Sequence, residues 1–436
     1  MQTSEAYFAA LQRLIRPVRA IQYPQSLSSM HALLRAMGSP HKRLRSVVIG
    51  GSVGKGTTAT FLAQLLRAEA TRVGCYRGPH LHSWRERFAL DGGWISAEEF
   101  TAGAERVLLA ASRAGVEGST FELNTALALF WFAEKDVDWA VLEVGIGGRW
   151  DAVNAAEHEL AILTPIEREH RNLLGGSLSS IARHKAGLMP EQGRVISAAQ
   201  SPMVTQILQQ QAERKGAQLT FLGRRVVEPF AVAQQLAVAA FRSLRPSETV
   251  PGIALIPPPG RYERWQDQGR SWLLDGGHTA RAGQQLAKFL RRQNAGAQPN
   301  LIVLAMLRDK AVRAFVEPLD SPKNEFWFTT VPGQRALSAE ELRQRSGLQR
   351  ANARLIPTAE EASRRAQVSD HRHIVVTGSL RLVAIAREEI GLVSAAIREE
   401  ARRTRTIITA QWKPTEPRAI LRDPSPRSSG ERAEVS

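Results

Sequence analysis

At 436 residues the chain is too long for one ordinary hydrophobic core, and about two or three domains are expected. Its 43% hydrophobic and 23% charged residues exclude a disordered chain, and the longest apolar runs, Thr125–Ala133 and Trp139–Val144, break far short of a bilayer span. The formal charge of +16 invites a nucleic-acid reading, but the arginines are spread along the chain without a basic block or interleaved aromatics.

Met1–Ala10 carries an acidic residue and no apolar run, so no secretory signal is expected there. Residues 4–37 are expected to be helical, with Phe8, Leu11, Leu14 and Ile15 at helical spacing and Met30, Leu33, Leu34 and Met37 repeating it. Gly38-Ser39-Pro40 ends that segment. A β-branched strand, Ser46–Ile49, a glycine-rich turn and an apolar helix, Thr58–Ala68, follow. The single cysteine, Cys75, excludes an internal disulfide and fits a reducing compartment, so a cytoplasmic location is expected. A helix at Thr125–Glu134 and strands at Trp139–Val144 and Leu160–Thr164 continue the alternation, which favours a parallel sheet covered by helices.

The prolines within Arg245–Gly260 suit neither a helix nor a central strand and mark a hinge. Beyond it come strands at Trp272–Leu274, Leu301–Ala305, Phe326–Thr329 and His373–Val376, a helix at Ala282–Arg291 and another from Leu380. These form a second, smaller α/β unit. From about Lys413 the Pro-, Arg-, Ser- and Glu-rich sequence has no apolar periodicity, and a disordered tail is expected.

The run Val47-Val48-Ile49-Gly50-Gly51-Ser52-Val53-Gly54-Lys55-Gly56-Thr57-Thr58 places a glycine-rich turn between a strand and a helix. Such a turn aims backbone N–H groups and the positive helix end at a phosphate. Lys55 would neutralise terminal phosphates, and the hydroxyl of Thr57 or Thr58 could reach a metal. Gly56 intervenes where the strict P-loop has Ser or Thr, so a plain glycine turn with a solvated lysine stays open here. Glu143 ends a buried-type strand before the loop Gly145–Arg149, a position beside the ligand crevice of open α/β sheets; its hard oxygens suit magnesium, and capping the strand is the alternative. His170 follows the next strand and draws weight only from its company.

Taken together, the phosphate loop, Pro79-His80-Leu81 with Arg85-Glu86-Arg87, and Leu142–Arg149 with Asp151 resemble the folylpolyglutamate synthase family within the Mur-type amide ligases. So do His170, Lys185-Ala186-Gly187, Pro259-Gly260-Arg261, Leu274-Asp275-Gly276 with His278, and Thr377-Gly378-Ser379-Leu380, in family order. The resemblance implies an α/β Mur ligase architecture: a P-loop-type, mostly parallel sheet ATPase domain over residues 1–256, then a smaller Rossmann-like glutamate ligase domain over 257–408, with 409–436 as the tail. It implies that ATP and magnesium are used to join L-glutamate to dihydropteroate or reduced folates through an acyl phosphate. Gly51, Ser52, Gly54, Lys55, Gly56, Thr57, Thr58, Arg261 and Asp275 would hold the nucleotide. Glu143, His170 and Thr57 would hold magnesium, and Lys55, Lys185 and His278 would be catalytic, Lys185 at a position carbamylated in relatives and otherwise a surface or salt-bridge lysine. A monomer is expected, without membrane or nucleic-acid partners.

The chain departs from the family pattern at Ser52-Val53 (usually Thr-Asn), at Gly78 (a metal-binding serine in relatives), at Glu169 before His170 (usually Asp), and at Thr279-Ala280 after His278 (usually Asn-Pro). These changes fall on nucleotide and metal positions. They keep open a catalytically impaired or altered-substrate paralogue that binds nucleotide.

Overall fold

The computed structural model describes residues 5–16, 24–223, 230–293, 300–348 and 353–411. Its first sheet is built from β1 (Ser46–Gly50), β2 (Val73–Tyr76), β3 (Phe88–Leu90), β4 (Gly93–Trp94), β5 (Trp139–Glu143), β6 (Leu160–Leu163), β7 (Arg194–Ser197) and β8 (Gln218–Phe221). Their spatial order is β4-β3-β2-β5-β1-β6-β7-β8. The run from β2 to β8 is parallel, and the β3–β4 hairpin joins it antiparallel. The second sheet holds β9 (Glu263–Asp267), β10 (Arg270–Asp275), β11 (Asn300–Leu304), β12 (Asn324–Phe328), β13 (Ala353–Leu355) and β14 (His373–Thr377). Its order is β13-β12-β11-β14-β10-β9, with only β9 antiparallel.

Both sheets are apolar on both faces because helices cover each side, which is why the central strands read as continuous hydrophobic runs. In β1, Val47 and Ile49 pack toward Phe61, Leu65, Leu236 and Phe241, whereas Val48 faces the opposite core with Phe100 and Leu127. The second sheet repeats the scheme. Trp272 and Leu274 share one core with Leu382 and Ile385, while Leu273 and Ile302 share the other with Leu286 and Phe315. Ser96 with Glu99 and Ser119 with Glu122 form capping boxes that fix the starts of the helices Ala97–Arg113 and Thr120–Glu134.

Every strand expected from the sequence is present within a residue or two at each end. Within residues 4–37 the helices are Glu5–Leu14 and Ser28–Ala36, and the apolar helix after the glycine turn begins earlier than expected, at Lys55. The proline segment 245–260 holds no helix or strand, and Gln64 fastens it by donating to and accepting from the Ile256 backbone, at 2.7 and 2.9 Å. The expected tail needs one correction: residues 409–411 continue the helix Ala395–Gln411, and the remainder of the tail lies outside the described residues.

That helix belongs to the second half of the chain but seats on the first. Its Glu400, 1% exposed, accepts from the Arg85 guanidinium at 3.1 and 2.6 Å and from the Ser83 hydroxyl. Arg403 forks onto Glu5 at 2.7 Å, and Ile407 and Ile408 pack against the first core. Next to it, His82 shares a 3.2 Å contact with Glu388 and accepts from Arg387 Nε at 3.2 Å, while Arg405 pairs with Glu388 at 2.6 and 2.9 Å. Glu400→Gln, which leaves the buried side of Arg85 facing a neutral amide, is expected to lower the unfolding free energy by about 2 kcal/mol in urea titration. Glu399→Gln, whose partner Arg402 is exposed, should change it by less than about 0.5 kcal/mol.

Candidate functional site

The turn after β1 is shaped by crowding. A Cβ on Gly51, at φ +125°, would sit 2.0 Å from Thr164 Oγ1 and 2.8 Å from its carbonyl, so only glycine fits. Ser52 N donates to Pro165 O at 2.9 Å, and the Ser52 hydroxyl both accepts from Glu167 N at 2.9 Å and donates to Glu167 O at 3.2 Å. Ser52 therefore ties the turn to the loop after β6. Gly54, at φ +88°, opens the helix Lys55–Ala68 without a side-chain cap, leaving first-turn N–H groups for an anion.

Gly51 O accepts two lysines: Lys55 Nζ at 3.1 Å and Lys185 Nζ at 2.7 Å. Lys185 is 1% exposed and also pairs with Glu169 at 2.7 Å, so it is a buried salt-bridge lysine and not a surface one. Burial pulls its ammonium down to about 8. Gly51 and Lys185 lie beneath the turn and do not line the cavity described below. Thr58 donates its hydroxyl back to Gly54 O at 2.9 Å within the helix, which leaves Thr57 as the hydroxyl with metal reach. A Cβ on Gly56 would come within 3.1 Å of Glu143 Oε2, the physical reason a glycine separates Lys55 from Thr57.

Glu143, at the carboxyl end of β5, is buried and accepts from Gly78 N at 2.9 Å. Burial pushes its carboxyl up, while Lys55 is the main influence in the opposite direction. His170 adopts a left-handed backbone at φ 46° beside Glu169, and burial holds its imidazole below the ordinary range. Asp151 accepts from Gly145 N and Ile146 N at 3.0 Å and from Val153 N at 3.2 Å, folding the glycine loop after β5.

The second half contributes the end of β10. Asp275 is buried and accepts from Gly277 N at 3.0 Å and Tyr262 N at 3.3 Å. Burial raises its carboxyl, and the Arg261 guanidinium opposes that. His278 Nδ1 lies 3.1 Å from Gly276 O, and burial keeps the ring below its ordinary range. Thr279 Oγ1 accepts from Ala282 N at 3.2 Å, so threonine still caps the following helix. Arg281 bridges the halves by pairing with Glu167 at 2.9 Å.

A cavity of about 480 Å³ runs between the two halves. Ser52, Gly54, Lys55, Gly56, Thr57, Thr58, Glu143 and His170 line one side, and Arg261, Asp275 and His278 the other. Tyr76, His80, Arg87, Phe121, Glu169 and Phe230 also line it, and their sequence positions carry no functional assignment. The aromatic residues could have been found as apolar positions beside glycine turns; Arg87 has no local signal beyond its Arg-Glu-Arg context.

Among the described residues no three His, Cys, Asp or Glu side chains gather as a preformed metal cage. Magnesium needs none, because it is commonly held by one or two carboxylates together with substrate phosphates and water. Glu143, with one backbone donor on Oε2 and the hydroxyl-bearing Thr57 on the same cavity, fits that requirement.

Residues 49–225 match the Mur ligase middle domain and residues 260–380 the Mur ligase glutamate ligase domain. The dihydrofolate synthase/folylpolyglutamate synthase of Mycobacterium tuberculosis is 30% identical over 380 residues, covering 74% of this chain and 77% of that protein. The Bacillus subtilis protein of the same name is 25% identical over 409 residues, or 84% and 94% of the two chains. The crystal structure of the Yersinia pestis bifunctional folylpolyglutamate synthase/dihydrofolate synthase with AMPPNP and a manganese ion superposes with a TM-score of 0.76 at 26% identity, covering 90% and 99%. With both domain matches in order and the fold shared across almost the whole described chain, this protein belongs to the dihydrofolate synthase/folylpolyglutamate synthase family of Mur ligases.

Proposed function

We propose that this chain is an ATP- and magnesium-dependent ligase that joins L-glutamate to dihydropteroate or reduced folates, working as a cytoplasmic monomer. We assign the nucleotide-binding half to residues 1–256 and the glutamate half to the residues from 257 to the end of the helix Ala395–Gln411. The observation that carries the reading is the single cavity faced by the Lys55 turn and Glu143 on one side and by Arg261, Asp275 and His278 on the other. An acceptor carboxylate oxygen attacks the terminal phosphorus of ATP and ADP leaves. The glutamate amine then attacks the acyl carbon, phosphate departs, and the amine loses a proton. Such chemistry asks the protein for alignment and charge stabilisation more than for covalent participation.

Lys55 exchanges the Gly51 carbonyl for the nucleotide's phosphates, and the uncapped N–H groups after Gly54 hold them. Bound magnesium supplies charge neutralisation on the transferring phosphoryl group, with Glu143, Thr57 and His170 as the residues that would hold it. Lys185 acts from below: as an ammonium it braces the Gly51 carbonyl and Glu169, and as a carbamate it would present a carboxylate there. Arg261, Asp275 and His278 close the nucleotide side, and the Arg281–Glu167 pair keeps the halves together around a hydrolysable intermediate.

Lys55→Ala and Glu143→Ala should each lower dihydropteroate- and glutamate-dependent phosphate release by on the order of a thousandfold without changing the circular dichroism spectrum. Unchanged release in both variants would remove this site assignment. Chelation of divalent cations should stop release, and added magnesium should restore it. Lys185→Met should lose activity and also its incorporation of isotopically labelled bicarbonate; a wild-type protein that never takes up label argues for the bracing role alone.

A second reading, a nucleotide-binding paralogue with impaired or altered chemistry, is favoured by Gly78, which offers no side-chain oxygen beside Glu143. ATP binding with neither glutamyl addition nor phosphate release would select it.

A further inference from the structure

Near Glu143, against Gly78, stands a cation whose outer nitrogens have no acceptor among the described residues. Arg87 lines the cavity, and its Nε donates to His80 Nδ1 at 3.1 Å. Its guanidinium lies over the Trp84 ring, 4.2 Å from the centroid. Trp84 is itself fixed, its indole N–H donating to Asn124 Oδ1 at 2.7 Å, and the His80 ring packs 5.0 Å from it. His80 is driven well below its ordinary range by burial and by Arg87, so it is neutral and offers the lone pair that Nε–H needs. The guanidinium is thus oriented by two contacts that leave its terminal nitrogens unused: neither has a hydrogen-bond acceptor among the described residues.

Gly78 leaves room for one of those nitrogens. A Cβ there would lie 3.0 Å from one terminal nitrogen of Arg87, tighter than ordinary packing, so the guanidinium lies against the space a side chain would enter. Gly78 N donates to Glu143 Oε2, and Gly56 of the phosphate turn approaches the same oxygen. Arg87 and the turn are thus linked through Gly78 and the Glu143 carboxylate, and both line the same cavity. The adjoining lining is apolar and aromatic, with Tyr76, Phe121 and Ile146.

We propose that Arg87 is the residue that binds the reacting carboxylate of the acceptor substrate, a planar fork held by His80 and Trp84 in the space left by Gly78. The inference rests on the folate-ligase reading and adds to it the group that aims the nucleophile. A planar guanidinium matches a carboxylate with two parallel hydrogen bonds, and the flat aromatic wall beside it suits an aryl carboxylate such as that of dihydropteroate. Lys55 and the helix N-terminus then remain for the phosphates, so each anion has its own cation before they meet.

The test compares the affinity of dihydropteroate with that of its primary carboxamide by calorimetry, with ADP and magnesium present. Wild type should prefer the carboxylate by about tenfold to a hundredfold, in keeping with a charge-assisted pair. Arg87→Gln should bring the ratio to about one with the carboxamide's affinity changed by less than about twofold, and Arg87→Lys should keep an intermediate preference. An unchanged ratio in Arg87→Gln, or equal loss of both ligands, overturns the proposal and leaves the folate reading intact. If wild type binds neither ligand while still binding ADP, the folate reading itself falls and this assignment falls with it. Should Arg87→Gln fail to retain ADP affinity, the Arg87→Lys ratio decides: a preference equal to that of wild type overturns the proposal, and a reduced one supports it.

Discussion

One backbone carbonyl carries two ammonium groups, and the site is organised around it. Gly51 O can receive Lys55 from the helix side and Lys185 from below only because the turn is pressed against Thr164, where no side chain on residue 51 would fit. The same pressure brings Ser52 into backbone contact with Pro165 and Glu167, so β1 and β6 hold the turn from both sides. A phosphate arriving at this turn meets a cradle whose shape is already fixed. Only the Lys55 side chain has to move, and its present partner is a neutral carbonyl that water or phosphate oxygen can replace.

Electrostatics follow from where strands end. Glu143 and Asp275 stand at the carboxyl ends of β5 and β10, each buried enough that desolvation works against its charge, and each opposed by a cation on the cavity, Lys55 in one case and Arg261 in the other. Neither half of the chain completes the cavity, because the turn, the acids and the imidazoles come from two separate sheets. Divergence from the family pattern is absorbed locally. Thr279 caps the helix that Asn would have started, and the Gly78 position opens onto a guanidinium in place of a hydroxyl.

Strands β1, β5, β6, β10, β11, β12 and β14 and the phosphate turn were legible because they obey short-range rules: apolar β-branched runs, glycines at positive φ, a lysine at a helix start; the interior strands β2 and β7, only four residues each, were not named. Edge strands such as β4, β8 and β9 were not, since they are short and half exposed and carry no continuous apolar signal. The residue types of the site were also readable, but their depth was not. Lys185 reads as any lysine after a helical turn; that it sits beneath Gly51 depends on β1, β6 and the helix Leu178–Ala186 meeting in space. Arg87 is the stronger case, for its orientation comes from His80, Trp84 and Asn124, and its neighbour at Gly78 is informative only through what it lacks.

The helix Ala395–Gln411 reaches back across almost the entire chain to cover the helix Glu5–Leu14. Most of the apolar face around Tyr7 packs on the nearer helix Ala97–Arg113 through Phe100, and Ile407, Ile408 and the Glu400 clasp add cover from about 300 to 400 residues further along the chain. Contacts of such long sequence separation slow folding and leave greasy surface uncovered meanwhile.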